Sequence, residues 1–381
     1  MSKQKICIIG GSLTGLVTAI SLSKYNCNID IITDKPNQYK KSSATIAISQ
    51  DNFEFLKGLE IFKNEKKNIW PCTSMKLYIE KNKKFSQIFE YNNKKVLYMF
   101  ENYKIKNLMF NKAKKIKSIK IKSGERVLKI SDNGMLKNVK LKKYSKDYNL
   151  VILCTGSNSS LVKNIFHDEF IKNSYKETSI TAVLNHSSIK NNIARQIFLD
   201  DEILALLPIS NTKTSIVWSV KKHNKKSNKI LKKQIKFYAN NFLKNIKIAS
   251  EIEFKNLNFL IRSNYYKNRV LLFGDALHVV HPFVGQGFNM TLRDLATLEK
   301  ILEKKIKLGL DIGSSDILAE FSNKTKPRNF LFSIGVDFLK NSFSFENESL
   351  RKLRNNMLLI LNKSNFVKDI FFNIADKGFK F

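Results

Sequence analysis

Short apolar runs and helical stripes alternate along the first part of the chain. Residues 5–9 (Lys-Ile-Cys-Ile-Ile) form a buried-strand pattern that ends at Gly10, and Leu13-Thr14-Gly15-Leu16-Val17 opens a helical one. A second continuous apolar run, Ile29-Asp30-Ile31-Ile32, ends at Thr33-Asp34. Far downstream, Val270 to Phe273 is again a strand that runs into Gly274-Asp275, and a loop with Pro282 and Gly285-Gln286-Gly287 leads into a helix. Met75–Glu80 and Ser215–Val220 alternate as sheet strands do, and residues 135–149 read as antiparallel strands around a turn. Leu231, Ile235, Tyr238 and Phe242 make one amphipathic helix. Phe366, Val367, Ile370, Phe371 and Ile374 make another, flanked by Lys363, Lys368 and Lys377. Both stripes suit either core-facing helices with solvated lysines or, for the C-terminal one, a helix resting on an anionic membrane.

The order strand, glycine turn, helix, strand is that of a dinucleotide-binding unit. Gly10, Ser12 and Gly15 occupy the fingerprint positions, here G-x-S-x-x-G. Gly10 permits the tight turn, the small Ser12 lets a pyrophosphate approach the backbone, and Gly15 lets the helix pack against the strand. The free N–H groups of Leu13 and Thr14 then face phosphate oxygens. An acid at the end of the second strand holds a ribose hydroxyl, and Asp34 stands there; strict strand alignment would place Thr33 instead. At the second motif, Asp275 can accept a hydrogen bond from a ribityl hydroxyl. The glycines at 285 and 287 let backbone N–H groups approach a flat ring, whose reduced form a helix N-terminus stabilises.

Together the two motifs resemble the class A FAD-dependent aromatic hydroxylases, of the para-hydroxybenzoate hydroxylase fold. The string Gly274, Asp275, His278, Pro282, Gly285, Gln286, Gly287, Asn289, Asp294 carries the resemblance. Four further stretches resemble the ubiquinone-biosynthesis branch: Ala44–Ser49, Tyr98–Asn102, Ala205–Ile209 with Ser215–Trp218, and Pro327-Arg328, Asp337, Asn341–Ser344. The resemblance implies an α/β fold: a Rossmann-like FAD domain with an inserted mixed β-sheet substrate domain and C-terminal helices. The FAD domain would take 1–70, 97–163 and 261–310, the substrate domain 71–96 and 164–260, and the helical region 311–381. It implies FAD bound by Gly10, Ser12, Leu13, Thr14, Gly15, Asp34, Asp275, Gly285, Gln286, Gly287 and Asn289, with Pro282, Val284 and Gly285 facing the flavin. It implies O2 as co-substrate, a flavin hydroperoxide as oxygen donor, and a polyprenylated phenol as substrate, with other ubiquinone-biosynthesis enzymes as partners. A soluble phenol, or a non-catalytic scaffold of the same fold, remains the alternative. His278 and His281 are expected to be structural; Glu101 and Asn102 fit a family motif, with helix capping as the alternative role.

Two positions depart from the family pattern. Ala44 stands where the family has Arg, and Thr155, in Val151–Gly156, stands where it has the Asp of a D-G pair. The second departure leaves NAD(P)H and a ferredoxin system both open as electron donors.

Charge changes the picture in one respect. Lys and Arg number 67 against 32 Asp and Glu, a net charge of +35 spread over the whole chain. Composition bias explains part of it, and such a surface also attracts anionic headgroups. Nucleic acid is an unlikely partner, because no recognised binding motif accompanies the charge. The four cysteines lie far apart without C-x-x-C, and the five histidines lack ligand spacing, so neither disulfides nor a metal are expected. No apolar run reaches the ~18 residues of a membrane helix, and the first strand begins too near Met1 for a cleaved leader. The expected location is the cytoplasm, peripheral on the inner face of a bacterial inner membrane.

Overall fold

A computed structural model of the chain describes residues 3–34, 41–63, 68–166, 170–199, 202–221, 227–282, 285–342 and 356. Its first layer is a six-stranded sheet. Gln4–Ile9 lies between Cys27–Thr33 and Leu150–Leu153, and Ile119–Ser123 and Val270–Leu272 extend the sheet on either side, all parallel. Parallel strands are covered on both faces, which is why they read as unbroken apolar runs. Ile6, Ile8, Ile29, Ile31 and Leu150–Leu153 are completely buried, as is most of helix Leu13–Leu22. Cys7 and Cys154 are buried in this core, and burial pushes both thiols well above the ordinary range.

One charge interrupts the apolar run. Asp30 is 3% exposed, and Lys146 Nζ and Tyr148 OH each donate to its Oδ2 at 2.7 Å. Lys122 Nζ lies 3.5 Å away. Burial alone would raise this carboxyl, but the two hydrogen bonds and the lysine charges outweigh it and hold the group below the usual range. Lys146 and Tyr148 belong to Ser145–Tyr148, one strand of the three-stranded antiparallel sheet with Lys129–Asn133 and Leu136–Lys140. Asp30 therefore ties that small sheet to the nucleotide sheet. The antiparallel pattern at residues 135–149 is present as expected.

The second layer is a ten-stranded mixed sheet. Across it run His278–Val279, Glu253–Arg262, Phe170–Asn185, Lys213–Lys221, Glu202–Ser210, Ile193–Leu199, Trp70–Lys81, Lys84–Glu101 and Thr45–Ser49, and the short Lys247–Ile248 pairs with the end of Phe170–Asn185. Ile193–Leu199 pairs with Trp70–Lys81 in parallel; the other neighbours are antiparallel. Lys84–Glu101 is one strand reaching to Thr45–Ser49, and its register with Trp70–Lys81 shifts between the pairs Cys72–Leu97 and Ser74–Asn92.

The outer face of this sheet carries helix Asn228–Ala239. Leu231 and Ile235 are buried against Trp218, and Tyr238 meets the indole edge-on at 5.6 Å, so this amphipathic helix faces the core. The inner face meets helix Gln286–Lys307 through Met290, and helix Ser315–Ser342 through Phe332 and Val336. The stripe Phe366–Ile374 lies outside the described residues. No helix among the described residues is long and apolar enough to cross a membrane.

Candidate functional site

A cleft of about 810 Å3 opens at the carboxyl ends of the parallel strands, where open α/β sheets bind ligands. Gly10 has φ +119°, and a Cβ there would lie 2.4 Å from the Cys154 carbonyl oxygen. A Cβ on Gly15 would lie 1.9 Å from the Gly10 carbonyl oxygen, so only glycine lets the helix sit this close to the strand. Ser12 is the N-cap of Leu13–Leu22, yet its hydroxyl makes no capping bond. Ser12, Leu13 and Thr14 line the cleft, and the helix start leaves N–H groups free for an anion. Thr33 and Asp34 both line it too: Thr33 is buried at the strand end, Asp34 exposed at the rim.

The second motif closes the other end. Gly274 has φ +62° and presses on Thr14, whose Cγ2 would lie 2.7 Å from an added Cβ. Asp275 follows in the turn Gly274–Ala276 and is exposed to the cleft. Gly285, with φ +68°, caps helix Gln286–Lys307 and faces the Ala47 methyl. A second cavity of about 350 Å3 continues from here under the large sheet, lined by Pro282, Gly285 and Gly287 and by apolar residues such as Met75, Leu97, Leu207 and Val217. The two cavities share Ile46, Asn102, Asp275 and Phe288 as walls. A polar cleft thus runs into an apolar pocket at one junction.

Two expected contacts are placed elsewhere. Asn289 lines neither cavity. It is completely buried, its Nδ2 donates to Ala47 O at 3.0 Å and Gly285 O at 3.1 Å, and its Oδ1 accepts from Ser49 N at 3.0 Å. With all three groups spent inside the protein, Asn289 braces the glycine loop against strand Thr45–Ser49 instead of touching a ligand. Gln286 is also buried outside both cavities, with Oε1 unpaired. Val284 lies outside the described residues.

The histidines are held by carboxylates. His278 Nε2 donates to Asp294 Oδ2 at 2.9 Å, and Asn329 Nδ2 donates to the same carboxylate. His281 Nε2 donates to Glu177 Oε2 at 3.1 Å, and Lys340 Nζ lies 2.5 Å from Glu177 Oε1. Burial would raise Glu177; the hydrogen bonds from His281 and Lys340 and the lysine charge outweigh it and keep the carboxyl below its ordinary range. Glu101 precedes helix Asn102–Lys115 without capping it, and pairs with Lys104 instead.

The departures from the family pattern have local consequences. The Ala44 segment is anchored without an arginine: Asn102 N donates to Ala44 O at 2.9 Å, Ser43 N donates to Glu253 Oε1 at 2.7 Å, and the Ser43 and Thr181 hydroxyls lie 2.7 Å apart. Thr155 lines the cleft with its hydroxyl buried and unpaired.

The residues present fit FAD. Thr45 Oγ1, Asn102 Oδ1 and Thr155 Oγ1 are buried with no hydrogen-bond partner among the described residues, and all three residues line the cavities. Buried polar atoms are otherwise almost always satisfied. Both glycine cradles sit at helix N-termini, the first beside the polar cleft and the second beside the adjoining pocket. Sequence reasoning missed Ile46, Phe288 and Val127 as cavity walls, because apolar residues in apolar segments carry no distinguishing signal.

A family described as FAD binding domain matches residues 3–328. The chain belongs to this family. Within it, the chain is 35% identical over 112 residues to the mitochondrial ubiquinone biosynthesis monooxygenase COQ6 of Dictyostelium discoideum, covering 29% of this chain and 23% of that one. It is 28% identical over 245 residues to the COQ6 protein of Homo sapiens, covering 54% and 52%. The chain thus spans about half the length, or less, of these curated relatives. The fold of this FAD binding domain protein is also that of p-nitrophenol 4-monooxygenase from Pseudomonas putida, with a TM-score of 0.82 at 15% identity over 100% of this chain and 99% of that one.

Proposed function

We propose that this protein is an FAD-dependent monooxygenase that hydroxylates the ring of a polyprenylated phenol in ubiquinone biosynthesis. The observation that carries the reading is the junction of the two cavities at Ile46, Asn102, Asp275 and Phe288. A glycine-lined polar cleft suits a dinucleotide, and the apolar pocket beyond it suits an aromatic ring. Bound there, FAD supplies the electron transfer and the activation of O2. The chain supplies position and dryness. Ser12 and the N–H groups of Leu13 and Thr14 hold the pyrophosphate. Asp34, or Thr33 beside it, holds the ribose, and Asp275 the ribityl chain. Pro282 and the Gly285–Gly287 turn face the flavin ring, with Val284 between them in sequence. Met75, Leu97, Leu207 and Val217 exclude water around the substrate ring. NAD(P)H and a ferredoxin system are the two electron donors to be assayed, since Thr155 replaces the acid that the family pattern places there.

The curated relatives named for ubiquinone biosynthesis support the prenylated substrate. At about 350 Å3 the pocket accommodates the ring and the first isoprene units, so the rest of the tail lies beyond it. The exposed stripe Phe330, Leu331, Ile334 and Phe338 on helix Ser315–Ser342 supports a peripheral membrane location, because Phe332 and Val336 of the same helix pack beside the pocket. The test is turnover of a prenylated phenol with isotopically labelled O2, using each donor in turn. A product carrying one labelled ring oxygen is expected; turnover of small soluble phenols alone would defeat the prenylated reading.

A further inference from the structure

The inner face of the large sheet carries a buried amide side chain, Gln196, that nothing among the described residues holds. Directly opposed residues on neighbouring strands point to the same side. Leu77, Gln196, Ala205, Val217 and Thr181 form one such row across five strands. All but Leu77 line the apolar pocket. The Thr181 hydroxyl is spent on Ser43. Gln196 is 4% exposed, and its side-chain amide makes no hydrogen bond among the described residues. Its neighbour Arg195 also borders the pocket, but its guanidinium is turned to the opposite face, 5.4 Å from the Phe242 ring centroid.

The amide atoms keep contact with the pocket's open space, and a ring filling that space would leave them unpaired at a cost unless it bonded them; an apolar side chain of similar volume would complete the row without that cost. The amide is therefore in place for a ligand. It offers one acceptor and two donors and no charge, which matches a neutral ring hydroxyl that both donates and accepts. A carboxylate would call for a cation. The lysine that lines this pocket, Lys255, is exposed, and pairs in register with Ser179, not with the Gln196 row. The small Ala205 beside Gln196 leaves room for a ring against the amide.

We propose that Gln196 is a specificity-determining residue that hydrogen-bonds the ring hydroxyl of the substrate and thereby orients the ring in the pocket. This rests on the reading of the pocket as the site for a phenol. Two probes separate the hydroxyl from the rest of the ligand: 2-geranylphenol and geranylbenzene, which lacks the oxygen. Binding is read from the change in the absorption of bound FAD on titration, and stability from thermal unfolding of the same holoenzyme.

The wild-type protein is expected to bind the phenol about tenfold more tightly than the hydrocarbon, the worth of one well-made hydrogen bond to a buried group. Gln196→Met is expected to bind both alike, with unchanged affinity for the hydrocarbon and a melting temperature no lower than wild type. A merely structural role would weaken both ligands and lower the melting temperature. Gln196→Asn, which keeps a shorter amide, is expected to retain part of the discrimination. Retention of full discrimination by Gln196→Met, or equal binding of the two probes by wild type, would overturn the assignment of Gln196 and leave the pocket's function standing. If neither probe binds the wild-type holoenzyme, the reading of the pocket fails, and the role of Gln196 with it.

Discussion

Gly15 shows how far a single residue constrains this site. With the Gly10 carbonyl 1.9 Å from where a Cβ would be, any side chain forces strand and helix apart. That demand was legible in the sequence, because the glycine spacing encodes backbone approach. Asp275 was legible for the same reason, as a lone acid at a strand end. Asp275→Ala should weaken FAD binding by about 10- to 100-fold, the range for a hydrogen bond to a charged group, while circular dichroism stays native. Flavin retained at full stoichiometry would count against Asp275 as a ligand. Asn289 was not legible. It occupies a family motif position, but four internal hydrogen bonds decide its role, and the three to Ala47, Ser49 and Asn52 reach some 240 residues away in sequence. Asn289→Ala should therefore lower the melting temperature, by about 2 kcal/mol of lost stability, and loosen the glycine loop. An unchanged melting temperature with weakened FAD would restore the direct contact.

Elements with a single period were read well, and elements whose partners are distant were not. The parallel strands announced themselves as unbroken apolar runs, and helix Asn228–Ala239 by the spacing of Leu231, Ile235 and Tyr238; Phe242, expected to continue it, lies in the turn beyond its end. The pairing of Lys84–Glu101 with Thr45–Ser49 at the edge of the large sheet has no local signature, since it is set across half a hundred residues. The charge inside Cys27–Thr33 is an element-scale device, because Asp30 fastens one sheet to another through Lys146 and Tyr148. The sign of its pH dependence follows from a folded-state carboxyl held below the ordinary range. The stabilisation is fully present above the unfolded value of about 3.9, and disappears as pH falls through the lower folded value. Asp30→Asn should thus be less stable than wild type at pH 7, by roughly 3 kcal/mol for a broken buried pair, and the gap should shrink in acid. Thermal melts of both proteins across the acid range check it; a gap that widens as the pH falls would show that Asp30 is not ionised in its network. On the other side of the large sheet, Ile235 is completely buried beneath the helix. Ile235→Ala should cost about 2–5 kcal/mol without changing FAD affinity, as read by denaturant melts and flavin titration. Loss of flavin in that variant would show that the two layers are coupled.

At the scale of the whole molecule, two sheets meet along one seam, and both cavities lie in it. The glycine motifs revealed the polar cleft because each encodes a backbone shape. The apolar pocket stayed hidden, since its walls come from strands spread over residues 44–97 and 179–282 and look like ordinary core. The net charge of +35 and the stripe of Phe330, Ile334 and Phe338 belong to this scale as well. Flotation with vesicles containing phosphatidylglycerol should capture the protein at low salt and release much of it at high salt. Phe338→Asp should weaken capture without changing FAD content. Equal flotation with neutral vesicles at every salt concentration would remove charge from the account.

The central claim is that the seam binds FAD and delivers oxygen to a ring lying in the apolar pocket. The most direct test is an absorption spectrum of the purified protein, reduced without air and then mixed with a prenylated phenol and isotopically labelled O2. The account predicts flavin bands that bleach on reduction and return with oxygen, and a phenol that gains one labelled oxygen atom. A colourless protein that refuses added FAD would contradict it, as would a flavin that cycles normally and leaves every phenol unchanged.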